Sequence, residues 1–313
     1  MRIVSAADIN DSLAWKPLVA ALKAAHATGG AELGDTLLTS NGRKFLVRSA
    51  WLGGLGAGVK AVTVYPDNPA SSPARPSVQG SMLVFDEATG EPAALVDGVA
   101  LTAWKTAADS ALGADLLARP DIASMLMVGA GNMAEPLIRA HCAVRPSLSR
   151  VTIHNRTRAR ADALAERLTD LGVEIRVTED LDAAIPEADL VTTATMSEKP
   201  VLKGELLRPG THVDLVGAFT PTMREADDAV LTRGRLFVDC RKTTIGEIGE
   251  LIDPMERGVI SEADVIADYF DLAGGAAGRA SADEITVCKN GGGAHLDLMV
   301  ARHVLDQGVG SEV

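Results

Sequence analysis

The stretch Met125–Leu126–Met127–Val128–Gly129–Ala130–Gly131–Asn132–Met133–Ala134 decides the fold, because an apolar strand runs directly into Gly-x-Gly-x-x-Ala at the mouth of a helix. In such a run the first glycine permits a tight turn and the second lets the backbone approach a pyrophosphate. The small Ala134 lets the helix pack on the strand, with the helix N-terminus facing the anion. A second apolar strand, Val151–Thr152–Ile153–His154, follows after a helix of suitable length and ends in Asn155–Arg156–Thr157–Arg158. A site for NAD(H) usually carries Asp or Glu at that strand end for the ribose 2′-hydroxyl, whereas Arg among small polar residues suits a 2′-phosphate. The predicted cofactor is therefore NADP(H) in preference, with NAD(H) possible. Gly129, Ala130, Gly131, Asn132 and Met133 are placed at the phosphates, and Asn155, Arg156, Thr157 and Arg158 at the ribose end. The competing reading, a glycine-rich turn in a flavodoxin-like sheet with Arg156 merely solvated, fits the strand–turn–helix–strand context less well.

Outward from this core, strands and helices alternate. Glu174–Val177, Leu190–Ala194, Val213–Val216 and Leu236–Val238 continue the apolar runs, which predicts a doubly wound parallel sheet of about six strands. Upstream, an amphipathic helix from Ser12 to about His26 precedes alternating runs such as Val59–Tyr65 and Ser81–Phe85, read as antiparallel strands. Asp86–Glu87–Ala88–Thr89–Gly90 reads as a hairpin connection to Ala93–Val96. A helix from about Leu101 to Ala118 follows, and Arg119–Pro120–Asp121 punctuates the join. The tail has a strand at Ile285–Val287, then Gly291–Gly292–Gly293 and an apolar-faced helix, Ala294–Leu305, able to return to the first domain. The expected α/β organisation is a Rossmann-type NAD(P)-binding domain over 114–289 and an α+β domain over 1–113 joined by 290–313.

Composition narrows the class. The 313 residues are 47% hydrophobic, enough for a large core, and 42 acidic against 30 basic residues give a formal net charge of −12. That balance disfavours nucleic acid and anionic membranes as partners. Cys142, Cys240 and Cys288 are too scattered for a disulfide framework or zinc site, and the six histidines form no metal-spaced cluster, so no metal is predicted. The N-terminus lacks the apolar core of a signal peptide and there is no apolar run of roughly 18 residues, so a cytoplasmic location is expected.

Ordered blocks over nearly the whole chain resemble the ornithine cyclodeaminase/μ-crystallin family. They are Gly58–Val59–Lys60, Tyr65–Pro66–Asp67–Asn68, Gln79, Leu101 to Ala111, Gly129–Ala130–Gly131, Asn155–Arg156–Thr157, Gly217–Ala218–Phe219–Thr220–Pro221 with Arg224–Glu225, and Glu247–Ile248–Gly249. The resemblance implies a homodimer built through the N-terminal domain, which also binds the substrate, and action on small α-imino or α-amino acids. Members include ornithine or lysine cyclodeaminases, alanine dehydrogenases and ketimine reductases; the μ-crystallin resemblance also allows a dinucleotide-loaded binding protein without turnover.

Departures from the family pattern select among these. Cyclodeaminases carry a catalytic Asp in the loop after the fifth Rossmann strand, where this chain has Phe219. Phe cannot accept a proton, which removes the base of the oxidation–cyclisation–reduction sequence and favours simple imine reduction, most directly of Δ1-pyrroline-2-carboxylate to L-proline. Phe219 then lines the pocket, or packs as an ordinary core residue. Lys105 stands where many members have Arg, keeping the charge without the bidentate fork. A second family arginine has no obvious equivalent, and Arg48 is its expected replacement. Lys60 matches the family lysine near the substrate and, desolvated, could pass a proton to the imine nitrogen. Lys60, Lys105 and Arg48 are thus the expected catalytic and carboxylate-binding residues, against the ordinary solvated role of such side chains. Gln79 resembles a family glutamine near the substrate, and Thr106 a residue touching cofactor phosphates; Thr195 and Val216 complete the expected cofactor set. His295 and Asp297 lie at i, i+2 on a helix and face apart, so no catalytic dyad is expected of them.

Overall fold

Residue alternation in the first hundred positions builds one unit, and near-continuous apolar runs build another. The computed structural model, which describes residues 1–312, divides between Met1–Lys105 with Gly293–Val313 and Thr106–Gly292. The first division falls inside a helix, upstream of the boundary at 113 expected from sequence.

The first unit contains β1 (Arg2–Val4), α1 (Ala6–Ser12), α2 (Trp15–His26), β2 (Glu32–Ser40), β3 (Arg43–Leu52), β4 (Gly56–Val64), β5 (Val78–Phe85), β6 (Pro92–Asp97) and the start of α3 (Gly98–Leu117). The second contains the rest of α3, then β7 (Ser124–Val128), α4 (Ala134–Val144), β8 (Arg150–His154), α5 (Arg158–Arg167), β9 (Glu174–Thr178), α6 (Leu181–Ala184), β10 (Leu190–Thr193), β11 (His212–Leu215), α7 (Asp228–Arg233), β12 (Arg235–Val238), α8 (Arg241–Thr244), α9 (Gly249–Glu256), β13 (Val265–Ala267), α10 (Tyr269–Ala273) and β14 (Thr286–Lys289). The chain then returns to the first unit as α11 (Ala294–Asp306) and β15 (Ser311–Glu312).

The first unit is a seven-stranded sheet in the order β15-β1-β6-β5-β4-β3-β2, antiparallel except where β1 runs parallel to β6. Two features differ from the sequence expectation. The helix expected from Ser12 to about His26 is α2, and a further short helix, α1, precedes it, opened by the reciprocal capping box of Ser5 and Asp8 and ended by extended backbone at Leu13. Strands β2 and β3, not anticipated, pair through the two-residue turn Asn41–Gly42, where both residues have positive φ (49° and 73°), the geometry that suits a right-twisted hairpin. One face of this sheet is covered by α11, on which α2 packs, and there Ala50, Leu52, Met82 and Val84 are buried. Leu296, Leu298, Val300 and Val304 of α11 are fully buried, each contributing roughly 1.5–3 kcal/mol.

The second unit is an all-parallel sheet of eight strands, β13-β12-β14-β11-β10-β7-β8-β9, two more than expected. The additions are the edge strand β13 and the tail strand β14, which inserts between β11 and β12. All five residues of β7 are buried, as the central strand of a sheet covered on both faces requires. Chain order reverses at β7, so the β7–α4 turn lies at a topological switch point, where open parallel sheets bind ligands.

Candidate active site

In the first unit, strand register brings the cations together. Arg48 of β3 pairs directly across from Lys60 of β4, and Lys60 from Met82 of β5, so all three side chains leave the sheet on the covered face. Lys60, 5% exposed, donates from Nζ to Asp297 Oδ1 at 2.7 Å and to Thr102 Oγ1 at 3.1 Å, which uses two of its three ammonium hydrogens. Asp297, on α11, is wholly buried, and its Oδ2 has no hydrogen-bond partner among the described residues. Burial opposes the Asp297 carboxylate, but the Lys60 and Lys105 charges outweigh it and hold its pKa below the ordinary value. Burial pushes the Lys60 pKa down; Asp297 opposes that shift, and the neighbouring Lys105 and Arg48 charges add to it.

Lys105, on α3, is 6% exposed and has neither a hydrogen bond nor an ion pair among the described residues. A buried ammonium is normally paired, because desolvation without a counter-charge costs several kcal/mol. Arg48, about a fifth exposed, is engaged by Asp35 at 2.7 Å. Gln79 is exposed and, three residues from Met82 in an unbroken register, projects from the opposite face of the sheet to Lys60, so the structure does not bring it to the cation cluster. His295 is buried on α11 with its ring edge-on to His26; burial, with His26, Lys105 and Arg48 nearby, pushes its pKa well down, so it is neutral. Sequence reasoning weighed Asp297 only as a partner of His295 and did not anticipate its pairing with Lys60. A carboxylate on an otherwise apolar helix face was the available signal, and only the fold shows that it meets Lys60.

In the second unit, Gly129 turns the chain out of β7 at φ 112°, and a side chain there would collide with the Ala194 carbonyl. Its N–H donates to the His154 carbonyl, and the Ala130 N–H to Asn155 Oδ1, so β8 fixes the shape of the turn. Asn155 also donates to the Thr157 carbonyl. The N–H groups of Gly131, Asn132 and Met133 have no partner among the described residues, and a Cβ on Gly131 would meet nothing within 4 Å. Open space over free N–H groups at a helix start fits a pyrophosphate. Arg156 is exposed and has no ion pair among the described residues, whereas Arg158 faces Asp162 at 3.5 Å and Glu179 at 3.7 Å. Thr106 on α3 is half-buried. Among the described residues no group of three or more His, Cys, Asp or Glu could hold a metal ion, and no helix is long and apolar enough to cross a membrane.

The loops after β10 and β11 are tied to each other by one side chain. Glu225 accepts from the Thr195 N–H and hydroxyl through Oε1, and from the Gly217 and Ala218 N–H groups through Oε2. Behind it, Glu250 accepts from the N–H groups of Glu225 and Ala226, and Lys289 Nζ donates to the carbonyls of Leu215, Ala218 and Asn290. Thr195 is thereby engaged within the protein, Val216 is half-buried beside it, and Phe219 stands 61% exposed on a fixed loop. The exposure removes the core-packing alternative for Phe219.

A doubly wound sheet with an open glycine turn at its switch point, attached to an α+β unit with a cationic interior, defines a Rossmann-type dinucleotide-binding protein carrying an added domain. The chain belongs to the ornithine cyclodeaminase/mu-crystallin family, whose sequence pattern matches residues 30–312. It is 47% identical over 304 residues to a Delta(1)-pyrroline-2-carboxylate reductase of Paracoccus denitrificans, covering 97% of this chain and 96% of that one. Among solved structures it is similar to Thermococcus litoralis Delta(1)-pyrroline-2-carboxylate reductase in complex with NADH and L-proline, with a TM-score of 0.91, 31% identity and full coverage of both chains. An archaeal alanine dehydrogenase dimer with bound NAD also gives a TM-score of 0.91, at 27% identity, covering 100% of this chain and 98% of that one.

Proposed function

We propose that this chain is an NAD(P)H-dependent imine reductase that converts Δ1-pyrroline-2-carboxylate to L-proline. The observation that carries the residue assignment is Lys105: a buried side-chain ammonium with no hydrogen bond or salt bridge among the described residues, sharing the one carboxylate of Asp297 with Lys60, leaves the cluster with positive charge to spare. A small carboxylate supplies the missing charge. The residues that would hold the dinucleotide are the Gly131–Met133 N–H groups at the phosphates and Arg156 at a 2′-phosphate, with NADP(H) preferred; when bound, the nicotinamide supplies the hydride. Lys60 has one ammonium hydrogen left to give to the ring nitrogen, while Lys105 holds the carboxylate. Phe219, where cyclodeaminases carry the catalytic Asp, supplies no base, which suits imine reduction and not ammonia release from ornithine.

Replacing either lysine by Met should lower kcat/KM by about 2–4 kcal/mol with cofactor affinity nearly unchanged. Lys105→Met should act mainly on KM; Lys60→Met should lower kcat as well. Stability separates them further. Lys60→Met strands a buried carboxylate and should destabilise by about 3–5 kcal/mol, whereas Lys105→Met removes an unmatched charge and should leave the melting temperature unchanged or raised. Steady-state NADPH oxidation with cyclic imines and thermal melts check both. Kinetics within twofold of wild type for both variants would remove the lysines from the site, and a chain that binds dinucleotide and imine without consuming NADPH would be a binding protein.

A further inference from the structure

Asp297 is the buried group of the first unit that the proposed reaction has not used. We infer that Asp297 is the positioning residue that keeps Lys60 protonated and aimed, so that Lys60, not water, delivers the proton to the substrate nitrogen. This rests on the imine-reductase reading above.

The environment of Lys60 is unfavourable to its own charge. It is buried on β4 among two further cations, Arg48 from β3 and Lys105 from α3, with apolar Met82 on its other flank. Every one of these favours a neutral amine at position 60. His295, from α11, is neutral, and His26 of α2 turns Nδ1 to the Leu22 carbonyl at 2.8 Å. Asp35, from β2, is spent on Arg48. Thr102 accepts a hydrogen from Lys60 but carries no charge, and its own hydroxyl donates to the Gly98 carbonyl at 2.6 Å. Asp297, 2.7 Å from Nζ, is therefore the group that holds a proton on Lys60.

The geometry also sets direction. With one ammonium hydrogen on Asp297 Oδ1 and one on Thr102 Oγ1, the rotation of the ammonium is fixed and the third hydrogen has a single orientation. In turnover the Nζ–H bond of Lys60 breaks as the ring N–H bond forms, and a bound reduced nicotinamide would supply the hydride that the imine carbon takes up. Lys60 is left as a neutral amine, which takes a proton back from solvent once product leaves; the Asp297 charge favours that recovery. The carboxylate itself stays ionised throughout.

The test compares pH profiles of kcat for wild type, Asp297→Asn, Asp297→Glu and Lys60→Arg, with Δ1-pyrroline-2-carboxylate and NADPH. Activity requires protonated Lys60, so it falls as pH rises through the Lys60 pKa. Without the Asp297 charge that pKa drops, and the basic limb should move at least one pH unit lower, about a tenfold loss of kcat on the limb, while the cofactor KM stays within about twofold. Asp297→Glu should restore most of the wild-type position. In Lys60→Arg the limb should vanish, because a guanidinium does not titrate there; this arm decides the matter if Asp297→Asn does not fold. An Asp297→Asn limb that superimposes on wild type, or a Lys60→Arg limb that persists, overturns the inference. A wild-type chain inactive on cyclic imines fails the functional reading instead, and then the Lys60 side-chain carbon signal in 13C-lysine-labelled protein, titrated in wild type and Asp297→Asn, tests the pairing without turnover: a lower midpoint in the variant supports it, and an equal one refutes it.

Discussion

At the residue scale, cofactor choice turns on which side chains at the end of β8 are free. Asn155, at the position where a carboxylate would take the ribose hydroxyls, has its oxygen on the Ala130 N–H and its nitrogen on the Thr157 carbonyl. It holds the turn. Arg158 faces two carboxylates, while Arg156 is exposed and unpaired among the described residues. A free guanidinium with no acid beside it can pair with a 2′-phosphate, and an Asp in its place would repel one. Arg156→Asp should therefore weaken NADPH by roughly 2–3 kcal/mol, about 30- to 150-fold, and change NADH little. Fluorescence titration with both cofactors checks this. Equal losses, or a wild-type preference for NADH, would assign the 2′-phosphate contact elsewhere.

At the element scale, the loops that carry Thr195 and Phe219 are set by the strands behind them through the Glu225, Glu250 and Lys289 side chains. Burial pushes the Glu250 pKa up to about 7 from an ordinary 4.5; the Glu225 charge adds to the rise, while Lys289 and two backbone N–H groups oppose it. A carboxyl whose folded pKa is raised binds a proton that the unfolded chain releases, so its contribution is full below the unfolded pKa and is lost as pH rises to the folded one. Between pH 5 and 7.5 the stability difference between wild type and Glu250→Gln should shrink by roughly 2–3 kcal/mol, because Gln does not titrate. Urea midpoints at the two pH values measure it; a pH-independent difference would mean that Glu250 does not titrate in this window. The amino-acid order made the Rossmann elements readable because the central strand β7 is a continuous apolar run into the glycine turn and short β-branched and apolar strands alternate with helices after it, but β13 is three residues long and β14 is separated from its partner strands in sequence, so neither announced its place in the sheet. Strands β2 and β3 were missed because exposed polar residues dilute their alternation, although Asn41–Gly42 marked their turn. Lys60 and Lys105 drew attention through their motifs, and the structure buries both. The pairing of Asp297 with Lys60 was not legible, since the two lie 237 positions apart and only the sheet register and the returning helix bring them together.

At the scale of the whole molecule, the uncovered face of the seven-stranded sheet points to self-association. The register places Val47 and Trp51 of β3, Val59 of β4, Leu83 of β5 and Leu95 of β6 on that face; none is buried, and Trp51 is 61% exposed. With Ser49 between Val47 and Trp51 this face is largely apolar, and such a patch is costly in water and is ordinarily covered by a partner. The net charge of −12 opposes non-specific association, so the covering surface must be complementary in shape, and a second copy of the same face related by a two-fold axis satisfies that. The archaeal alanine dehydrogenase of similar fold is a dimer. If the chain is a homodimer joined there, Trp51→Glu puts a charge at the centre of an apolar contact on both sides at once and should raise the dimer dissociation constant by at least about tenfold, or roughly 1.4 kcal/mol. Sedimentation velocity over a dilution series reads the change directly, and Lys16→Gln, on the exposed side of α2, makes the same one-unit change in net charge and should leave the dimer intact. A Trp51→Glu protein that sediments as wild type at every dilution would place the dimer contact on another surface, and loss of the dimer in the Lys16→Gln control would show that charge alone, not this face, governs association.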